Sequence, residues 1–182
     1  ANYFGAGGSF DVARFAADLA DTDRQLLGAE QLLWLQQQLA ASGATWQVLG
    51  QQILMGRMNI PAPLVLGQIS FSAYSALVYK AQTAPATLTP QEQYILAQPA
   101  IPYNLDAWDG YAMARETVLA ISKALDKNLV VLAGDTHNAW ASDLLDYQGN
   151  TIGVEFAAAS ISSPGFEEYF PAENPLAVAA GL

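Results

Sequence analysis

The sequence predicts an α/β fold in which strands follow helices closely, and three observations carry that reading. Leu129–Ala133 (LVVLA) is a short apolar run, rich in β-branched residues and closed by Gly134, which is the pattern of a buried strand. A helical pattern over Ala112–Leu125 leads into it almost at once. Upstream, the segment Leu27–Leu39 carries a leucine stripe and passes through Ser42-Gly43 into a second apolar run from Thr45.

Each element has its own signal. Ala1–Asp23 opens ANYFGAGGSF, is dense in glycine, and reads as loop. Gly28 then precedes a helix in which Leu32, Leu35 and Leu39 recur at i, i+3 and i+7, a stripe that seeks burial. Trp34 flanks that stripe and, with Leu35, is expected to pack against the sheet. Ser42-Gly43 is expected to close the helix through a left-handed residue. Thr45–Leu54 reads as a strand ending near Gly50. Asn59–Tyr74 holds two prolines and scattered apolar residues, and reads as an irregular excursion. Thr89-Pro90-Gln91-Glu92 is a capping box with proline at the first helical position, so a short helix runs to about Ala97. Gln98–Gly110, with two more prolines, reads as loop. The helix Ala112–Leu125 puts Val118, Ile121, Ser122 and Leu125 on one face, with Asn128 as its stop. Ile152–Ala158 is a third strand, and the tail from Ser160, acidic at Glu167-Glu168, reads as extended. The sum is α-β-(insert)-α-β-β.

Composition narrows the function. The 182 residues suit one domain able to bury a core. Hydrophobic content of 52% against 13% charge argues for a folded chain. A formal net charge of −10, with no Lys/Arg stripe, argues against a nucleic-acid surface. With no cysteine there is no disulfide framework or zinc ribbon. No apolar stretch approaches the 18 residues of a membrane span, and no signal peptide is legible at Ala1, as in a mature or excised polypeptide. There is no G-x-S-x-G elbow and no G-x-x-x-x-G-K loop, so serine-hydrolase and P-loop chemistry are set aside.

The chemistry concentrates after the Leu129–Ala133 strand. Gly134-Asp135-Thr136-His137 sits at its carboxyl end, where ligands gather in open α/β sheets. Asp135 and His137, the chain's one histidine, offer an oxygen and a nitrogen ligand, a mixture that suits zinc, manganese or iron. The same residues also read as a turn aspartate beside a hydrogen-bonded histidine. Asn138 reads as a residue orienting His137 or a phosphate oxygen, or as part of the turn. Gln51 and Gln52 follow the end of the Thr45 strand near Gly50, where an amide oxygen suits a hard cation such as Ca²⁺ or satisfies strand-end backbone. Asp109 and Tyr111 read as lining a site and touching substrate, with Asp109 better read as the cap of the helix that starts at Ala112. Trp108 reads as a packing anchor. Arg115 reads as a phosphate binder or, more simply, a salt-bridge partner. Glu155 lies inside an apolar strand and needs a partner if buried. Ser160, Ser162 and Ser163 read as a turn.

The blocks LGAEQLLWLQQQL (Leu27–Leu39), WQVLGQQ, DAWDGYAMARETV (Asp106–Val118), GDTHNAWASDL (Gly134–Leu144) and VEF occur in an order that resembles the alkaline phosphatase D (PhoD-like) family of metallophosphatases. The resemblance covers nearly the whole chain, and WDGY and GDTH are its specific parts. It implies part of a calcineurin-like metallophosphatase sandwich, with mixed sheets flanked by helices. It implies that Asp135 and His137 are catalytic metal ligands and that Gln51 or Gln52 stands where relatives place a ligating histidine. It implies calcium together with iron, or a simpler two-metal set, and a phosphate mono- or diester substrate attacked by metal-activated water. Bound metals would supply the cation that this acidic chain lacks. Family members are generally exported, which implies an extracytoplasmic location. The family's earlier half, with its aspartate, its tyrosine or cysteine and a WDDHE-like block, is not in this sequence. Residues 1–182 are therefore expected to be the C-terminal half of a catalytic domain whose partner is the missing N-terminal half. The alternative is a catalytically inert scaffold or interaction half-domain. A partly open sheet edge, prone to association, is also expected.

Overall fold

The computed structural model describes Tyr3 and residues 10–165. Most of the glycine-rich opening and the tail beyond Gly165, with Glu167-Glu168, lie outside the described residues. In chain order the elements are α1 (Val12–Leu19), α2 (Gly28–Ala41), β1 (Gln47–Gly50), β2 (Asn59–Pro61), α3 (Ala62–Val65), α4 (Phe71–Thr83), α5 (Pro90–Leu96), β3 (Ala100–Pro102), α6 (Ala112–Ala124), β4 (Leu129–Ala133), β5 (Trp140–Leu145) and β6 (Thr151–Ala157). Short 3-10 turns cover Pro85–Thr87 and Trp108–Tyr111. The described residues divide into two compact units, one drawn from residues 1–57 and 104–161 and one from residues 58–103 and 162–182.

The first unit is a mixed α/β layer structure. Its four-stranded sheet has the order β1-β4-β6-β5; β1, β4 and β6 run parallel and β5 is an antiparallel edge. Gly50 pairs with Leu132, and Ala133 with Ala157, so the three parallel strands end along one rim. One sheet face is apolar and covered: Leu129 and Val131 of β4 pack with Leu35 and Leu39 of α2 and Val118 and Leu119 of α6. Burying an aliphatic side chain of this kind contributes roughly 1.5–3 kcal/mol. The opposite face presents Val48 (60% exposed), Leu132 (46%) and Phe156 (51%). A parallel sheet normally carries cover on both faces; here the mixed sheet has helices packed on its apolar face, while these three side chains stay exposed on the other.

Several expectations change here. α1 occupies part of the segment read as loop; Asp11 caps it, accepting from the Arg14 N–H at 2.9 Å, and Phe15 is buried between the rings of Tyr3 and Phe10. Leu35 is buried as expected, but Trp34 is 56% exposed, because one residue along a helix turns about 100° away from the buried stripe. α2 ends on Ser42 in extended backbone (φ −70°, ψ 125°), with no left-handed glycine at its close. At the end of α6 the left-handed residue is Asp126 (φ 51°), while Asn128 donates its side-chain amide to the Thr45 carbonyl at 2.8 Å. β5 is a strand that the α-β-(insert)-α-β-β reading omits.

The second unit holds the segment read as an excursion. β2 and β3 form an antiparallel pair centred on Ile60 opposite Ile101, which also places a strand where Gln98–Gly110 reads as loop. α4 starts at Ser70, whose hydroxyl accepts from the Ala73 N–H, and buries Tyr74, Ser75 and Leu77. The capping box is present in full. Glu92 N–H donates to Thr89 Oγ1 at 3.3 Å and Thr89 N–H donates to Glu92 Oε2 at 2.7 Å. Lys80 Nζ lies 2.8 Å from the same carboxylate.

Candidate active site

The rim formed by the ends of β1, β4 and β6 is stitched by backbone bonds. Gln51 N–H donates to the Leu132 carbonyl (3.0 Å), Gly134 N–H to the Gln52 carbonyl (3.2 Å), Ala158 N–H to the Ala133 carbonyl (2.9 Å) and Ser160 N–H to the His137 carbonyl (3.0 Å). Residues 51–52, 134–138 and 158–160 therefore form one continuous edge. Gln51, Gln52, Asp135, His137 and Asn138 all lie along this edge.

The turn after β4 is unusual. Asp135 (φ 71°) and His137 (φ 63°) both lie in the left-handed region, on either side of Thr136. Asp and His are among the residues that tolerate this backbone best, yet the conformation costs about 1–2 kcal/mol at each. The turn is held by Thr136 N–H donating to the Gly134 carbonyl at 2.9 Å and by Trp140 Nε1 donating to Thr136 Oγ1 at 2.9 Å. Asp135 and His137 are exposed and Asn138 is half-buried. Strained backbone that presents exposed polar side chains clusters at functional sites.

The WDGY segment joins the same edge through Trp108. Its Nε1 donates to Gln51 Oε1 at 3.0 Å. That oxygen also accepts from the Ile53 N–H (3.3 Å), while the Gln51 amide nitrogen donates to the Ile53 carbonyl. Trp108 is thus both a buried anchor and a polar tie to the β1 tip. Gly110 is required in the 3-10 turn, since a Cβ there would stand 1.9 Å from the Leu105 carbonyl oxygen. Asp109 is buried, and it does not cap α6: Tyr111 holds the N-cap position and no side chain caps it. The turn places Asp109 two residues too early for that role. Tyr111 lies under the guanidinium of Arg24, 5.1 Å from its ring centre, and Arg24 Nε donates to the Gly110 carbonyl at 3.0 Å. Arg24 carried no motif in the sequence, because Gly110 lies 86 residues away.

Two further questions raised by the sequence are answered nearby. Arg115 is buried and bridges Glu116 at 2.8 Å, so the salt-bridge reading holds over phosphate binding. Glu155 is fully buried and accepts from the Met55 N–H at 2.6 Å and the Gly56 N–H at 2.7 Å. Burial pushes its carboxyl up from the ordinary value, opposed by those two donors and by Arg115.

An exposed carboxylate and an imidazole two residues apart fit part of a metal's donor set. Among the described residues, no group of three or more His, Cys, Asp or Glu side chains gathers to complete one.

Comparison with known proteins bears on the whole chain. The family described as PhoD-like phosphatase matches residues 6–180. Alkaline phosphatase D of Bacillus subtilis (strain 168) is 32% identical over 148 residues, covering 79% of this chain and 19% of that protein. A solved structure described as "Structure of PhoD" matches with a TM-score of 0.54 and 32% identity, over 80% of this chain and 22% of that one. The chain spans about a fifth of the length of these relatives. With the fold, the ordered blocks and this match in agreement, the chain belongs to the PhoD-like phosphatase family.

Proposed function

We propose that the protein carrying this chain is a metal-dependent phosphoesterase that hydrolyses phosphate mono- or diesters, and that the rim after β1, β4 and β6 is part of its active site. The observation that carries this is the turn holding Asp135 and His137, an exposed carboxylate and an exposed imidazole on strained backbone at the carboxyl end of the central parallel strand. Asp135 and His137 would hold metal. Gln52 is exposed and beside Gly134, and we assign it the ligating amide oxygen, since Gln51 commits its amide to Ile53 and Trp108. Asn138 orients the neighbouring imidazole or a phosphate oxygen, and Asp109 and Tyr111 belong to the loop that borders substrate. When bound, the metals lower the pKa of a coordinated water and neutralise phosphate charge. Calcium together with iron, or a simpler pair, is the set the family resemblance supports, and it supports an extracytoplasmic location as well. Chelation should abolish turnover of p-nitrophenyl phosphate and of a bis-p-nitrophenyl diester, and Ca²⁺ with Fe³⁺ should restore it. Cell fractionation tests the location.

The open face carrying Val48, Leu132 and Phe156 favours a second statement about the chain alone. We propose that residues 1–182 are a C-terminal half-domain, that further ligands come from elsewhere in the protein, and that the isolated piece is inert. Calorimetry on the isolated chain with Ca²⁺, Fe³⁺, Zn²⁺ and Mn²⁺ should then show no binding tighter than millimolar, and tight stoichiometric binding would contradict it.

A further inference from the structure

We propose that Glu155 and Arg115 are positioning residues that set the active-site rim by gripping one peptide unit of the loop after β1. The proposal rests on the reading of that rim as the active site. The Met55–Gly56 peptide is held at both ends. Its N–H donates to Glu155 Oε2 at 2.7 Å, and its carbonyl accepts from Arg115 Nε at 2.7 Å. The preceding N–H, that of Met55, goes to Glu155 Oε1 at 2.6 Å. Arg115 is itself fixed by the Leu145 carbonyl at 3.1 Å and by Glu116.

The cost of this arrangement argues for a purpose. Glu155 is 0% exposed in the strand TIGVEFA, where an apolar residue would pack without desolvating a charge. Gly56 is fitted to the carboxylate: a Cβ there would stand 2.9 Å from Glu155 Oε2 and 2.9 Å from Ser142 Oγ. Three residues before the gripped peptide, the Gln52 carbonyl takes the Gly134 N–H, immediately before Asp135. The Gln51 side chain joins the same loop to Trp108. A shift of the Met55–Gly56 peptide is thereby transmitted to Gly134 and to the strained Asp135–His137 turn. Misplacement by about 1 Å costs catalysis of the order of 100-fold.

Glu155→Gln is nearly isosteric but replaces one acceptor oxygen with an NH₂ group facing a donor. In ¹⁵N-labelled chain, amide shifts should change at Met55 and Gly56 and also at Gly134, the Trp108 indole N–H and the Gln51 side-chain NH₂. The β5–β6 ladder around Val154 should hold. In the metal-loaded enzyme, kcat should fall about 10- to 100-fold, with KM changed less than about threefold, at a temperature where both proteins are folded. If Glu155→Gln does not fold, Arg115→Lys, which loses the planar fork, carries the same test. Shift changes confined to residues 55 and 56, or an unchanged kcat with the rim displaced, would overturn the proposal. Shifts at Gly134 in a protein whose wild type has no phosphoesterase activity would uphold the coupling and remove only the functional reading.

Discussion

Gly134 donates its N–H to the carbonyl of Gln52 at 3.2 Å, and this bond joins the tips of β1 and β4 where the two strands stop pairing. It places the loop after β1 beside the Asp135–His137 turn, so the geometry of the turn depends on residues far earlier in the chain.

The left-handed backbone gives a signature separating function from stability. Glycine adopts φ 63° or 71° without penalty and alanine does not. In the isolated chain, His137→Gly should be more stable than His137→Ala by about 1 kcal/mol, and Asp135→Gly more stable than Asp135→Ala by a similar amount. Urea unfolding followed by circular dichroism measures this. Equal stability for the two members of each pair would show that the turn is not held in that conformation.

The WDGY turn should be intolerant of a single methyl group. Gly110→Ala puts a Cβ against the Leu105 carbonyl, with backbone on both sides of the clash. The expected loss is about 2 kcal/mol or more. Trp108→Phe keeps most of the apolar volume but removes the donor to Gln51, at about 1 kcal/mol. The same denaturant titration checks both, and a neutral Gly110→Ala would mean that the turn relaxes away from Leu105.

Much of this site is legible in the sequence, and the rest is hidden for identifiable reasons. LVVLA-GD marks β4 and its carboxyl end through composition and punctuation alone, and Thr89–Glu92 marks a cap through local spacing. α1 and α4 are masked by a glycine-rich opening and by Pro61 and Pro63, although Asp11 and Ser70 cap them. β5 follows the histidine with no glycine or proline to announce it. Glu155 shows only as a charge in an apolar run, because its partners at Met55 and Gly56 lie about 100 residues away. No spacing rule reaches that far. Asp109 misleads because an acidic residue just before a helix resembles a cap, while the 3-10 turn buries it instead.

Acid should loosen the second unit through Glu92. Its carboxyl is held down to about 2 by the Lys80 ammonium first and by the Thr89 N–H. A folded pKa below the unfolded one means that this contribution is present above the unfolded value of about 4.5 and is lost as pH falls toward 2. Glu92→Gln should flatten the pH dependence of melting between those limits. Because the pair is solvent-screened, 1 M salt should have a similar flattening effect. An unchanged acid limb in Glu92→Gln would remove this account.

The uncovered sheet face should make the isolated chain associate. β1 is an edge strand, and Val48 on it, Leu132 on β4 and Phe156 on β6 lie exposed on one sheet face. Light scattering should show mass rising with concentration, and Val48→Lys together with Phe156→Lys should return it to monomer. A wild-type chain that stays monomeric at millimolar concentration would contradict this.

Whether Asp135 and His137 hold catalytic metal is decided by one comparison. Bound metal should be counted by mass spectrometry, and phosphate ester turnover measured, in the full-length protein and its His137→Ala and Asp135→Asn variants. Loss of a ligand weakens metal affinity and the field on the phosphate together, so both variants should lose at least part of the metal and fall in kcat/KM by about 100-fold or more. Asp109→Asn should be milder, of the order of tenfold, since that residue is buried in the WDGY turn. Wild-type metal content and full turnover in His137→Ala would contradict the account.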